Sequence, residues 1–378
     1  MNVGSRKVPG SVLAGGLFLL LAFFGSPAPE VKWIDLAGVW VTSGSLAGVL
    51  VLSLLGPTVS LWSRTAQLVL LGVALLGTLD LVHLESISGV AQLGFWLVVT
   101  SLGFAVWYVM QRFSQADPKA AWLQMMFRII VPGIFGVWFL ALWELVTIGF
   151  GIPRVLLPSP GLVGDAITGS LNILAADFQQ TVVRAVIPGF VIGNLAGFAA
   201  ALAADRWAFL GRGLLPVGNL VSAIPIIGIA PIMVMWFGFD WQSKAAVVVI
   251  MTFFPMLVNT MSGLRSAGAM ELDLMRAIGA SHWQSFLQVR LPTALPFIFN
   301  ALKINSALAL IGAIVAEFFG TPIVGMGFRI STEVGRMNME MVWASIALAA
   351  VSGSLFYGLL AVAERRATFW HPSFRKPS

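Results

Sequence analysis

Ten apolar segments, separated by shorter polar connections, make up most of the chain. Each segment is long enough to cross a bilayer as an α-helix, for which about 20 residues are needed. The pattern therefore predicts an all-α polytopic membrane protein with about ten transmembrane helices. We place the spans near residues 11–28, 37–56, 66–83, 89–111, 128–149, 181–204, 213–237, 244–263, 294–318 and 341–363.

Composition supports a membrane protein. Of the 378 residues, 58% are hydrophobic and only 10% are charged, whereas a soluble domain has roughly 25% charged residues. The chain has no cysteine, which excludes disulfides and thiolate metal sites. Its histidines, His83, His282 and His371, are far apart and have no ligand spacing around them, so no metal site is predicted.

The basic residues indicate the orientation of the spans. With the N-terminus inside, 15 Lys and Arg fall on the cytoplasmic side, 6 fall outside and Lys303 lies within a span, which accounts for all 22. This bias follows the positive-inside rule and predicts that both termini are cytoplasmic. The net charge of +6 is therefore attributed to membrane topology rather than to nucleic-acid binding.

A polar stretch at residues 112–124 divides the chain. It predicts a linker between a four-span N-terminal membrane module, residues 1–111, and a six-span core, residues 125–366. A basic cytoplasmic tail, residues 367–378, follows the core. The first four spans contain almost no residue suited to chemistry, and their acidic residue Asp80 lies close to the outer end.

The segment 271–292 is too polar to cross hydrocarbon, and the topology places it in the cytoplasm. Gly279 suits the left-handed residue that closes a helix. Ser281 and Gln284 match the capping box that opens the next helix. The segment is therefore predicted to form two short helices joined by a glycine turn.

The second of these helices has one apolar side, because Trp283, Phe286 and Leu287 recur at i, i+3 and i+4. Pro292 fixes where the following span begins. A helix pair of this shape suits docking into a groove of another protein. The alternative is an amphipathic loop that rests on lipid headgroups, and periodicity alone does not separate the two.

Small residues recur every fourth position in the sixth span, at Gly189, Gly193 and Gly197, which predicts close packing against another helix.

The seventh span contains three prolines, Pro216, Pro225 and Pro231, which predict a kinked or interrupted helix. Irregular backbone in a membrane is tolerated where it faces protein or a water-filled cavity, so this span either lines a pathway or holds a structural kink. In the ninth span, Glu317 is predicted to face the pathway or to pair with a neighbour. Lys303 either faces the pathway or extends toward the cytoplasmic surface.

The sequence lacks the motifs of an enzyme. It has no G-x-x-x-x-G-K-[ST] loop for ATP, no H-E-x-x-H and no Ser/His/Asp set at plausible depth. We therefore predict that the chain is not an enzyme and has no cofactor of its own. The several midplane ionisable residues typical of ion-coupled carriers are also missing, so the energy for transport is expected from a partner.

One motif resembles a known family. Gly279, nine residues and then Val289-Arg290-Leu291-Pro292 is similar to the G-x9-I-x-L-P core of the EAA loop in binding-protein-dependent ABC transporter permeases. The Glu-Ala-Ala of that loop corresponds to Asp273-Leu274-Met275, which keeps the acid and replaces both small residues. Other stretches resemble the nitrate, sulfonate, taurine, bicarbonate and thiamine-precursor branch, namely Trp143-Glu144, Leu157-Pro158-Ser159-Pro160, Pro225 to Pro231 with Trp236-Phe237-Gly238, Ser243-Lys244, Phe253-Phe254-Pro255 and Ala316-Glu317.

The resemblance covers roughly residues 125–366 and implies the permease subunit of an ATP-driven importer in the bacterial inner membrane. The implied partners are cytoplasmic ATPase subunits, which bind ATP and Mg, an extracytoplasmic solute-binding protein, and a second permease copy, expected to form a homodimer. The implied coupling residues, which would dock with the ATPase, are Asp273, Arg276, Ala277, Gly279, Ser281, Trp283, Phe286, Leu291 and Pro292. The predicted pathway residues are Pro225, Pro231, Trp236, Phe237, Lys303 and Glu317.

The branch implies a substrate that is either a small anion of the nitrate, sulfonate, taurine or bicarbonate type or a vitamin precursor. The competing class is a secondary transporter or channel that works without ATP. A membrane scaffold or an enzyme is a third class, which the missing catalytic set disfavours.

Overall fold

The computed structural model describes residues 9–370 except residues 37, 55–60, 117–119, 223 and 321. The predicted linker and the C-terminal tail therefore lie partly outside the described residues. Apart from one isolated bridge between Ala28 and Val31, the regular secondary structure of the described part is helical, which confirms the all-α class. Helices α1 to α16 are Gly10–Ala22, Val39–Leu54, Leu61–Val82, Leu93–Ser114, Ala121–Gly149, Pro160–Gly169, Leu171–Phe178, Ile187–Arg206, Ala208–Ser222, Ile226–Phe237, Trp241–Arg265, Ala269–Ala277, His282–Ser285, Leu291–Glu317, Met326–Gly335 and Met339–Ala367.

Seven helical stretches of the described chain are long and apolar enough to cross a membrane. They are Trp62–Val82, Leu93–Ser114, Ala121–Gly149, Leu171–Arg206, Trp241–Arg265, His282–Glu317 and Met339–Ala367. The shorter apolar helices α1, α2 and α10 coincide with other predicted spans. By length and composition, the chain is a multi-pass membrane protein.

The seventh predicted span is interrupted. Helix α9 ends at Ser222 and α10 begins at Ile226, after Pro225, whose backbone is extended at φ −65° and ψ 128°. Pro216 and Pro231 lie inside α9 and α10. The structure thus confirms that this proline-rich span is not one continuous helix, in keeping with the missing N–H and fixed φ of proline.

Two membrane helices contain π-helical segments, Gln179–Val186 and Phe286–Arg290. Each segment runs directly into an α-helix whose second residue is a proline, Pro188 in α8 and Pro292 in α14. Because proline has no N–H to donate to the preceding turn, the hydrogen-bond ladder is disturbed at that point. The wider π turns carry the helix past this position without ending it.

The structure divides into two compact units, Met1–Gly164 and Asp165–Ser378. In the first unit, α5 packs against α3 and α4, and one apolar core contains buried residues from all five helices, α1 to α5. The rings of Phe113 and Phe127 meet at 5.0 Å, and Trp96 stacks on Phe150 at 4.3 Å. The sequence places a linker before α5, whereas the packing joins α5 to the first unit.

In the second unit, α11 contacts α8, α10 and α14. The glycines Gly189, Gly193 and Gly197 of α8 face α11 across a very short gap. A Cβ atom on Gly189 would lie 2.7 Å from the carbonyl oxygen of Ala245, and the other two positions are covered as closely. Backbone-to-backbone approach of this kind requires the absence of a side chain.

A polar contact joins α8, α11 and α14 at the centre of this packing. The Asn305 amide nitrogen donates to the side-chain oxygen of Asn194 at 2.6 Å and to the carbonyl oxygen of Thr252 at 2.8 Å. Asn305 is fully buried. Because unpaired polar groups are costly in an apolar interior, this contact fixes how the three helices align.

Candidate functional site

The loop segment 269–292 connects α11 to α14 and contains α12, a turn, α13 and the second π segment. Gly279 has φ +72°, and its N–H donates to the carbonyl of Arg276 at 3.0 Å, while the N–H of Ala280 donates to the carbonyl of Met275 at 2.9 Å. These two bonds form a Schellman motif, which satisfies the last carbonyls of α12. The predicted glycine turn is present.

A complete capping box opens α13. The N–H of Gln284 donates to the Ser281 hydroxyl at 3.3 Å, and the N–H of Ser281 donates to the side-chain oxygen of Gln284 at 2.7 Å. The two helices therefore meet at a turn whose backbone donors and acceptors are locally satisfied.

An arginine anchors this loop segment to the membrane helices. Arg290 donates to both carboxylate oxygens of Asp205, at 2.9 and 2.6 Å, and to the carbonyl oxygen of Leu264 at 3.3 Å. Asp205 is in the last turn of α8, and Leu264 is in the last turn of α11. These three residues define a region that we call the Arg290 end of the second unit.

The Arg290–Asp205 pair is largely shielded from solvent, with 18% and 17% of the two side chains exposed. Planar, bidentate pairing of arginine with a carboxylate fixes direction as well as distance. The loop segment is therefore held to two other helices at one point. The sequence motif contains Arg290, but nothing local to it points to Asp205.

The apolar residues of the loop segment divide into two groups. Met275 and Phe286 are buried, and Phe286 packs with Leu264 and Ala294 at the base of the bundle. Apolar side chains on the other side stay exposed, namely Met270, Leu274, Ile278, Trp283 and Leu287. We call these five residues the exposed apolar face.

The predicted single stripe of Trp283, Phe286 and Leu287 is therefore divided, because Phe286 faces inward and the other two face outward. The Trp283 ring meets the Phe286 ring edge-on at 5.7 Å. A cleft of about 390 Å³ beside them is lined by Leu202, Asp205, Arg206, His282, Trp283 and Phe286. Trp283 and Leu287 thus remain exposed, while Phe286 packs into the helix bundle.

Among the remaining predicted coupling residues, Asp273 and Arg276 form an ion pair at 2.8 Å within α12, with 67% and 78% of their side chains exposed. An exposed pair of this kind contributes little to stability, so both groups are available to a partner. Ala277 ends α12, and Leu291 and Pro292 begin α14.

At the opposite end of α14, Glu317 is almost fully buried. Its carboxylate accepts the Thr181 hydroxyl at 2.7 Å and the Gly327 N–H at 2.6 Å. Gly325 has φ +137°, and a Cβ atom there would lie 2.7 Å from the same carboxylate. We call this place the Glu317 end.

Asp177 closes the same end from α7. It is fully buried and accepts the Gly325 N–H at 2.8 Å and the Arg329 Nε at 2.8 Å. Lys244, also buried, donates to the carbonyl oxygen of Phe239 at 2.6 Å. Glu317 and Asp177 together hold the connection between α14 and α15 in place, and sequence analysis did not single out Asp177.

The contacts of the described residues do not bring the other predicted pathway residues together into one site. Lys303 lies 2.7 Å from the Glu364 carboxylate on α16, and both side chains are mostly buried. Trp236 and Phe237, at the end of α10, are exposed. The pathway assignment of these residues, together with Pro225, Pro231 and Glu317, stays a prediction.

Comparison with known proteins agrees with this architecture. Residues 189–369 match the family described as binding-protein-dependent transport system inner membrane component. The riboflavin transport system permease protein of Chloroflexus aurantiacus is 31% identical over 62% of this chain and 87% of its own length. The chain belongs to this family of ABC transporter permeases.

Two further relatives show the range of named solutes. The formylaminopyrimidine transport permease protein of Halalkalibacterium halodurans is 30% identical over 65% of this chain and 97% of its own length. A putative aliphatic sulfonates transport permease protein of Bacillus subtilis is 28% identical over 65% of this chain and 88% of its own length. These relatives are matched nearly end to end, whereas about a third of this chain has no counterpart in them.

Proposed function

We propose that this chain is the translocation subunit of an ATP-driven importer and that the loop segment 269–292 is the surface on which a cytoplasmic ATPase docks. The observation that carries the proposal is the exposed apolar face. Leu274, Ile278 and Trp283 are exposed on a segment that also carries Glu271, Asp273, Arg276 and Arg290, whose charges are costly to place in hydrocarbon. A contiguous exposed apolar surface next to charged groups is typical of a protein-binding site.

The loop segment is suited to transmit movement as a rigid body. Its helices are capped at the turn, its base is packed through Phe286, and Arg290 ties it to α8 and α11. A shift of the docked ATPase would therefore reach three membrane helices together rather than being absorbed in a flexible loop. ATP and Mg would be bound by the ATPase, not by this chain.

In the proposed complex, two permease copies form the solute pathway, and an extracytoplasmic binding protein delivers solute at the Glu317 end. Both termini and the loop segment are then cytoplasmic, as the distribution of basic residues predicts. Pro225, Pro231, Trp236, Phe237, Lys303 and Glu317 remain the proposed pathway residues. The interruption between α9 and α10 supports this, because irregular membrane backbone is typical of pathway linings.

For the solute, we propose a small anion or a heterocyclic vitamin precursor. The relatives named for riboflavin and formylaminopyrimidine support the second choice, and the relative named for sulfonates supports the first. Binding measurements on the partner solute-binding protein, with riboflavin, a pyrimidine precursor, taurine and nitrate as probes, distinguish them.

The docking role is tested by reconstituting the full chain into vesicles with the ATPase subunit that copurifies with it. Trp283→Asp places a charge in the exposed apolar face and is expected to reduce uptake and ATPase recovery by at least about tenfold, since hot-spot tryptophans contribute about 2 kcal/mol or more. Trp283→Phe is the matched control and is expected to retain both.

Unchanged uptake and ATPase recovery in Trp283→Asp would refute docking at this surface. Uptake by this chain alone, driven only by an ion gradient, would instead favour the secondary-transporter class.

A further inference from the structure

At one end of the first unit the described charged residues are all basic, whereas the other end carries both signs, including Lys32 and Arg154. Arg64 is near the start of α3, Arg112 near the end of α4 and Arg128 near the start of α5. The acidic residues of this unit that the structure describes lie toward the other end, and they are Glu30, Asp35, Asp80, Glu85 and Glu144.

Contacts at the other end show that the described carboxylates lie away from these three arginines. His83, just after α3, lies 3.2 Å from Glu144, and the N–H of Gly94, at the start of α4, donates to the carbonyl of Ser26. Asp80 is 16 residues beyond Arg64, a distance of about 24 Å along a helix. The three arginines therefore have no described carboxylate within ion-pair distance.

We call the region that carries Arg64, Arg112 and Arg128 the arginine end, and it is formed by α3, α4 and α5. Arg112 donates to the side-chain oxygen of Gln67 at 2.9 Å, and Gln67 is fully buried one turn beyond Arg64. The Arg64 guanidinium carbon lies 5.7 Å from the centre of the Phe127 ring. The Nε atom of Arg64 is buried and has no hydrogen-bond partner among the described residues.

An open cleft of about 480 Å³ adjoins this cluster. Phe113, Phe127, Val131 and Pro132 give it an apolar wall, and Ser114 and Arg128 contribute polar groups. Phe127 connects the two features, since its ring lies under Arg64 and also lines the cleft. Arginines that have no carboxylate partner among the described residues, beside an apolar cleft at a membrane surface, fit a molecule with an anionic head and hydrocarbon tails.

We propose that the arginine end of the first unit is a binding site for an anionic phospholipid of the adjacent leaflet. The phosphate of the headgroup lies among Arg64, Arg112 and Arg128, and the acyl chains lie along the cleft wall. Basic pockets between membrane helices bind anionic headgroups through the same charge complementarity. The proposal concerns α3, α4 and α5 and is independent of the transport function.

Thermal unfolding of the full chain in detergent tests the site. Phosphatidylglycerol is expected to raise Tm by about 3 °C or more relative to phosphatidylcholine, because a ligand that binds only the folded state stabilises it. The double variant Arg64→Gln, Arg112→Gln is expected to lose this shift. Arg154→Gln, which removes an arginine outside the cluster, is the matched control and is expected to keep it.

Two results would overturn the proposal. One is an equal phosphatidylglycerol shift in the wild type and the double variant. The other is an equal shift produced by inorganic phosphate at millimolar concentration, which would indicate a site for free phosphate instead of a lipid.

Native mass spectrometry of the wild type provides a measurement that does not depend on the variant folding. Phosphatidylglycerol is expected to remain bound at collision energies that remove phosphatidylcholine, and its loss at the same energy would count against the site.

Discussion

Arg290 and Asp205 are 85 residues apart and form a two-point ion pair with N–O distances of 2.9 and 2.6 Å. One partner belongs to the proposed docking loop and the other to the last turn of α8. Since the same guanidinium also donates to Leu264 on α11, a single side chain connects the loop to two membrane helices. Loss of this connection is therefore expected to weaken the coupling of ATP hydrolysis to solute uptake.

We expect Arg290→Ala and Asp205→Ala each to uncouple ATP hydrolysis from uptake and to lower Tm. Each leaves the other charge without its partner, and a double-mutant cycle should give a coupling energy of about 1–3 kcal/mol. Arg290→Lys keeps the charge but not the fork and should recover only part of the loss.

The measurement for this pair is uptake per ATP hydrolysed, alongside thermal unfolding. Arg336→Ala is the matched control, because the Arg336 side chain is 71% exposed and pairs with Glu333, three residues earlier at the end of α15. Additive effects of the Arg290 and Asp205 substitutions would contradict a direct role for the pair.

Gly279 gives a second prediction, based on backbone conformation alone. No atom lies within 4 Å of a Cβ built at this position, so a side chain meets no steric obstacle there. Gly279→Val nevertheless places a β-branched residue at φ +72°, which costs on the order of 1–3 kcal/mol. We expect uptake to fall while the protein still inserts into the membrane.

Gly279→Asn is the control for that variant, because asparagine tolerates the left-handed conformation. Uptake by the Asn variant should stay near that of the wild type. If the Val and Asn variants transport equally well, the helix turn does not matter for docking.

Glu317 gives a third prediction. Its two carboxylate oxygens accept from Thr181 and from the Gly327 N–H, and a glutamine turns one of these acceptors into a donor. Glu317→Gln should therefore lower the free energy of unfolding by about 1–3 kcal/mol, measured by thermal or denaturant unfolding. Glu340→Gln, at the start of α16, should change it little, and equal stability of both variants would show that the Glu317 end is not held by these bonds.

Gly193 gives a fourth prediction, which concerns helix packing. A Cβ atom at Gly193 would meet the backbone of Val249 at 2.8 Å, whereas one at Gly358 in α16 would have no atom within 4 Å. Gly193→Ala should destabilise the protein by about 1–3 kcal/mol. Gly358→Ala should be neutral or stabilising, since alanine favours helix by up to about 1 kcal/mol. Equal unfolding temperatures for the two variants would contradict the close approach of α8 and α11.

Sequence patterns were sufficient to predict the long apolar helices and the local geometry of the loop segment. Hydrophobic length locates the spans, and the chemistry of Gly279 and of Ser281 with Gln284 determines the turn and the cap, because those interactions involve near neighbours. The same reasoning could not decide which side of α13 faces its own bundle. Phe286 and Trp283 share one helical stripe, and only tertiary packing buries the first and exposes the second.

Long-range partners could not be predicted. Asp205 and Asp177 look like ordinary acidic residues at helix ends, and their arginines lie 85 and 152 residues away. A possible signal is that each acid lies at or next to an apolar span, where an unpaired charge is costly. The packing of α5 against α3 and α4 could not be read from the sequence for a related reason, since a polar connection in the sequence does not reveal which surfaces meet on either side of it.

The shared core of α1 to α5 has a consequence for biosynthesis. Residues 1–114 leave the ribosome before α5, so the surface on which α5 settles is already in the membrane when that helix arrives. In a chain that starts at α5, the side of this helix that packs on α3 and α4 would face lipid instead. The N-terminal helices thus supply the surface against which α5 packs, and a truncated chain that begins at α5 is expected to leave that side of the helix without its partners.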